Sequence, residues 1–162
     1  MKIAHYIGNH AADTLAVRAG WWITRKVQKG AYSGTTHCEA IHAEHADGTV
    51  TIASASLRDQ GVRDKHVRLN FAHWRIVDVP IWDVRQSIDL LGRTRGAKYD
   101  LGGAIATVFI GSQNAAKWFC NEWVAHPFVR SSATFGPHQF HAVTLSIGRD
   151  VTLDFFGSRA LK

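Results

Sequence analysis

Thr36-His37-Cys38-Glu39-Ala40-Ile41-His42-Ala43-Glu44-His45, then Ala46-Asp47-Gly48, then Thr49-Val50-Thr51-Ile52-Ala53-Ser54-Ala55 read as one β-hairpin. Asp-Gly is a strong turn signal because glycine reaches positive φ at no steric cost, and a second arm rich in β-branched residues suits a pleated sheet. Working outward, Lys2 to Ile7 predicts a short strand, and Asp13 or Thr14 caps a helix that runs to about Gln28 before Gly30 stops it. Leu57 to Lys65 is polar and predicts a loop, while His66 to Phe71 and Trp74 to Pro80 predict two further strands, for a sheet of four or five. Asp83 to Leu91 predicts a helix with Gly92 and Gly96 after it. Tyr99-Asp100 opens a more apolar, glycine-containing segment. A second helix is expected from Ser112 or Asn114 through Phe119, Cys120 and Trp123, ending near His126 because Pro127 follows. Val129 to Gln139 reads as irregular and Val143 to Phe155 as strand-like. The pattern is that of an α+β protein.

The chain has 162 residues, a length that suits a single domain over 1–162. It is 46% hydrophobic and 20% charged, with six Trp and eight Phe, enough apolar material for a packed core. The longest apolar candidate, Leu101 to Gly111, is about half of the roughly 20 residues that span a bilayer, so the chain is not expected to cross a membrane. Asn9, His10 and Asp13 interrupt the N-terminal region too early for a secretory signal, which predicts a cytoplasmic protein, or one released by lysis or carried in a phage particle. Two cysteines, Cys38 and Cys120, are too few for a disulfide framework and suggest free thiols in a reducing compartment. A net charge of +6 favours anionic partners without choosing among them.

Chemistry centres on Cys120, within Trp118-Phe119-Cys120-Asn121-Glu122-Trp123-Val124. A thiol near a helix start feels the positive end of the helix dipole, which favours the nucleophilic thiolate. The competing reading is a small buried hydrophobe on a helix's inner face. His37 is the candidate base: side chains two apart on a strand point the same way, so Glu39 shares its face and can hold the imidazole in its working tautomer. Cys38 is an alternative nucleophile, but strand alternation points it away from His37.

His37, Cys38, Glu39, His42, Glu44 and His45 are all metal-ligand types within nine positions, yet a strand divides them between two faces and no zinc spacing is present, so no metal is expected. No phosphate-binding loop follows Gly102-Gly103, and no cofactor is expected. Aromatic and basic residues around Phe71, Trp74, Arg75 and Trp82 fit core positions as well as a nucleic-acid surface, and nucleic acid is not expected as a partner.

Thr36-His37-Cys38-Glu39-Ala40, Tyr99-Asp100-Leu101-Gly102-Gly103 and Trp118-Phe119-Cys120-Asn121-Glu122-Trp123-Val124, in that order, resemble the circularly permuted branch of the NlpC-type papain-like cysteine hydrolases, the YiiX-like group related to lecithin retinol acyltransferase. There a His-x-Glu strand precedes a Tyr-Asp segment and then a Cys-Ser-Glu helix, the reverse of the papain order. The resemblance covers Trp21 to Phe128. It implies a nucleophile-bearing helix packed on an antiparallel sheet, with Cys120 as nucleophile, His37 as base and Glu39 as the third polar member. Ser54 or Ser56 on the neighbouring strand can also fill that third place. Asn121 stands where the group has Ser, and Cys38 where a small apolar residue is common.

The function so implied is that of an amidase or peptidase acting through a thioester acyl-enzyme on a peptide or acyl substrate, cell-wall peptides among them, and its small free-standing form suits a phage-encoded enzyme. The alternatives are a lipid acyltransferase or thioesterase, and a non-catalytic binding or virion module of the same fold.

Overall fold

The computed structural model describes residues 1–7, 34–102, 117–129 and 136–160. The hairpin is present: β2 (His37–Glu44) and β3 (Val50–Ser56) pair antiparallel, with a register shift between Ile41 and Ala43. Its turn places Gly48 at φ 82°, and the Asp47 carboxylate accepts from the Thr49 N–H at 2.9 Å and the Thr49 hydroxyl at 2.6 Å. β1 (Lys2–Tyr6) flanks β2, and β5 (Trp74–Asp78) flanks β1. On the other side β4 (Gly61–Val67) pairs with β3. The short strands β6 (Lys98–Tyr99), β7 (Lys117–Trp118) and β8 (Arg149–Asp150) complete an eight-stranded sheet in the order β7-β6-β4-β3-β2-β1-β5-β8. Among the described strands, only the β6–β7 pair runs parallel.

Period-2 alternation gives this sheet two apolar faces. Ile3, Cys38, Ala40, Ala53, Ala55, Val62 and Val77 belong to one buried cluster, together with Leu90 and Leu91 of α1 (Val84–Thr94), Cys120, Trp123 and Val124 of α2 (Cys120–Ala125), and Phe140 of α3 (Pro137–Ile147). Their sequence neighbours Ala4, Ile41, Ile52 and Ile76 point the other way, into a smaller cluster with Val151 and Phe155, the latter on α4 (Thr152–Ala160). Small residues at 38, 40, 53 and 55 let α2 lie close on β2 and β3. The chain is therefore α+β, with three of the described helices on one side of the sheet and α4 on the other.

Several expectations are corrected. Part of Leu57 to Lys65 is not loop: β4 occupies Gly61–Val67, and the expected strand from His66 to Phe71 ends at Val67. The strand is disguised by charge, because its charged side chains are paired, Arg63 with Glu39 across the sheet and with Asp59 just before the strand, Lys65 also with Asp59, and Asp64 with Arg95 after the Val84–Thr94 helix. The sheet has eight strands rather than four or five, three of them only two residues long and below the reach of periodicity. Val143 to Phe155 is not a strand; it spans the end of α3, β8 and the start of α4, with Gly148 at the junction, where a Cβ would lie 2.3 Å from the Asp78 carbonyl oxygen. The helix that carries Cys120 begins at Cys120 itself, preceded by β7, not at Ser112 or Asn114. The helix expected between Asp13 and Gln28 lies outside the described residues.

Gly61 shows how tightly the site's edge is built. A Cβ there would sit 2.2 Å from the Ala97 carbonyl oxygen, where β4 meets β6. Gly61→Ala is expected to lower stability by about 1–3 kcal/mol, through overpacking that spreads β6 and β7 from the sheet. Urea unfolding measures it, and an unchanged midpoint would contradict the close approach.

Candidate active site

The β2–β3 register runs from Glu44–Val50 to Ala40–Ala53, whereas His37, Cys38 and Glu39 pair with β1. β3 nevertheless continues to Ser56, so β2 and β3 part at this end, and here α2 starts. Cys120 is the first residue of α2 and only 3% exposed. Its thiol interacts with the side chains of both His37 and Cys38, and with the backbone of Cys38. Cys38, expected to point away from His37, does so and still lies beside the Cys120 thiol. Alternation does send His37 and Cys38 to opposite faces, but Cys120 meets β2 where it parts from β3, and both side chains act on its thiol.

His37 Nε2 lies 2.7 Å from Glu39 Oε1, so the two side chains do share a face, and Nδ1 is the ring nitrogen left for the thiol. Glu39 is 2% exposed and is held by a residue that the sequence reading missed. Arg63 donates from Nη1 to Glu39 Oε2 at 2.7 Å and from Nη2 to Oε1 at 2.5 Å. Such a fork fixes a carboxylate in plane as well as in charge. Arg63 is itself fixed by Asp59 at 2.6 Å and by the Ser54 carbonyl at 3.2 Å. The available signal was cross-strand: Arg63 sits opposite Ser54 and projects on the same face as Glu39, but this is readable only once the β3–β4 register is known.

The electrostatics follow from these contacts. Burial works against charge on His37, but the Glu39 carboxylate and the Cys120 thiolate outweigh it and raise its pKa to about 9. Burial likewise opposes charge on Glu39, yet Arg63 and His37 bring its pKa down to about 2. The hydrogen bond from the Cys38 thiol, countered by burial and reinforced by His37, brings the Cys120 pKa well below the ordinary thiol range. The Cys38 thiol is pushed up, by burial first and then by Cys120. A six-residue helix has little dipole to offer, so these contacts rather than α2 account for the thiolate. When protonated, the Cys120 thiol donates to Asn121 Oδ1 at 3.2 Å. Tyr99, at the end of β6, feels the charge of both sulfurs, and burial and that charge raise its phenol.

The other candidates fall elsewhere. Ser54 Oγ donates to the Ala55 carbonyl at 3.3 Å and Ser56 Oγ accepts from the Asp59 N–H at 3.4 Å, so both hydroxyls are engaged away from His37. His42 turns to Ser87, with Nε2 2.9 Å from its Oγ, and His45 to Thr51 at 2.9 Å. Among the described residues, no three His, Cys, Asp or Glu side chains converge as a metal site, and no helix is long and apolar enough to cross a membrane.

Compared with protein-family models, curated proteins and solved structures, the chain shows no match. Its chemistry is argued from the geometry of β2, β4 and α2 alone.

Proposed function

We propose that the chain is a cysteine hydrolase of the amidase or peptidase type, with a permuted papain-like arrangement in which Cys120 is the nucleophile, His37 the base and Glu39 the orienting carboxylate. The observation that carries this reading is the continuous chain of contacts Cys120–His37–Glu39–Arg63, ending in a two-pronged ion pair. A merely packed cysteine needs no buried imidazole and carboxylate beside it.

In this reaction His37 holds the proton of Cys120, leaving the thiolate to attack an amide or ester carbonyl. The backbone N–H of Cys120, in the first turn of α2 where no helical acceptor exists, is placed to stabilise the oxyanion. His37 Nδ1 then returns the proton to the leaving amine or alkoxide, and Glu39 keeps Nε2–H engaged throughout. Water activated by the now neutral His37 resolves the thioester. Two buried free thiols suit work in a reducing compartment such as the cytoplasm, and the net charge of +6 suits an anionic substrate such as a cell-wall peptide.

The test is the pH dependence of Cys120 alkylation by iodoacetamide, read by mass spectrometry, with Cys38 as internal control. Cys120 is expected to label rapidly below pH 7, and His37→Ala to slow that labelling at pH 6.5 by about tenfold or more, because the stabilising cation is gone. If Cys120 labels no faster than Cys38, or ignores His37, the reading is wrong.

A further inference from the structure

Cys38 has no part in the acyl-transfer steps, yet it is fully buried against the nucleophile. It occupies the second position of β2, and Cys120 the first position of α2, two elements packed directly on one another. The two thiols belong to one buried cluster, on elements in direct contact, and each shifts the other's hold on its proton. Both are unbridged in this structure. A pair of thiols so close, one of them an activated nucleophile, is the arrangement in which a second cysteine resolves an oxidised first one.

We propose that Cys38 and Cys120 form a reversible intramolecular disulfide on exposure to a peroxide, switching the nucleophile off and protecting it from irreversible oxidation. The Cys120 thiolate attacks one oxygen of hydrogen peroxide, breaking the O–O bond and giving Cys120 sulfenic acid; the departing hydroxide takes up a proton and leaves as water. Cys38 sulfur then attacks the sulfenic sulfur, the S–O bond breaks, the Cys38 proton leaves with the hydroxide as a second water, and the S–S bond forms. Two thiols are oxidised by two electrons and one peroxide is reduced to two waters. Conversion of Cys120 to the neutral sulfenic acid removes the adjacent negative charge that holds the proton on Cys38, so the first step prepares the second. Hydrogen peroxide is scarcely larger than water, and the 18% exposure of the His37 side chain marks its approach. A dithiol reductant reverses the bond.

The role as a switch rests on Cys120 being the nucleophile; formation of the bond does not. The full chain, reduced and freed of reductant, is treated with a few equivalents of hydrogen peroxide, quenched in acid, and weighed intact and after digestion. The expected product is a monomer lighter by about 2 Da, with the Cys38 and Cys120 peptides joined and both thiols recovered with dithiothreitol. Cys38→Ala is expected instead to gain about 32 Da as the sulfinic acid, which dithiothreitol does not reverse. Wild-type protein that over-oxidises as fast as Cys38→Ala, or that links only between chains, overturns the proposal. Iodoacetamide labelling separates the two readings. His37-dependent labelling without a disulfide defeats the switch alone, and a disulfide without His37-dependent labelling leaves the bond but removes the hydrolase.

Discussion

Arg63→Met is expected to lower folding stability by about 3–5 kcal/mol, the usual cost of removing one partner from a buried ion pair. The Glu39 carboxylate, 2% exposed, would lose both guanidinium hydrogen bonds and keep only His37. The size of the effect comes from the charge left behind rather than from the net worth of the pair, and that distinction is testable. Glu39→Leu combined with Arg63→Met removes both charges, and the double variant is expected to recover much of the loss, giving a large coupling term in the cycle. Equal losses in the single and double variants would mean that Arg63 matters for its packing and for its contact with Asp59. The same contacts set an acid dependence. With a folded pKa of about 2 against an ordinary carboxylate value near 4.3, Glu39 contributes stability that is fully present above the unfolded value and is lost as pH falls through about 4 to 2. In Arg63→Met the folded pKa rises toward the unfolded value, so this acid-dependent loss is expected to shrink.

The second large effect concerns turnover. If the reacting form is thiolate with imidazolium, hydrolysis of an activated ester is expected to hold a plateau across neutral pH and to fall as pH rises through about 9, where His37 gives up its proton. The sign is that of a raised base: the stabilising charge on His37 is complete below its unfolded value near 6.5 and disappears through the folded value of about 9. Glu39→Gln is expected to reduce kcat/KM by about 100- to 10,000-fold, because an amide can neither balance the imidazolium nor fix its tautomer. It should also bring the alkaline limb to lower pH. A rate that keeps rising beyond pH 10 would show that the imidazolium takes no part.

How far the sequence could be read depends on which forces leave a one-dimensional trace. The hairpin was legible because Asp47-Gly48 and the β-branched arm after it obey local rules. His37 and Glu39 were legible together for the same reason, since two residues apart on a strand is a statement about faces. Arg63 was not, because its meaning lies in a partner 24 residues away across two strand pairings, and the charge that makes it useful also made β4 look like a loop. Alternation placed Cys38 on the face opposite His37, but that the Cys120 thiol lies beside both needs the docking of α2, which no local rule gives. The two-residue strands and the α3–α4 junction leave no period to read, and there the apparent alternation from Val143 to Phe155 pointed to the wrong element.

The end of β2 where it parts from β3 also sets an order on how the candidate site assembles. Its base and carboxylate are made early, on a strand whose partners β1 and β3 are close in sequence, while the sulfur arrives about eighty residues later on α2. Until that late segment docks, His37 has no thiol and Cys120 no cation. A nascent chain or a truncated fragment is therefore expected to carry an ordinary cysteine, the thiol shifted by His37 and Cys38 existing only in a molecule that has finished folding. On the proposed reading, the long-range closure that slows assembly thus keeps Cys120 unactivated while the chain is still incomplete.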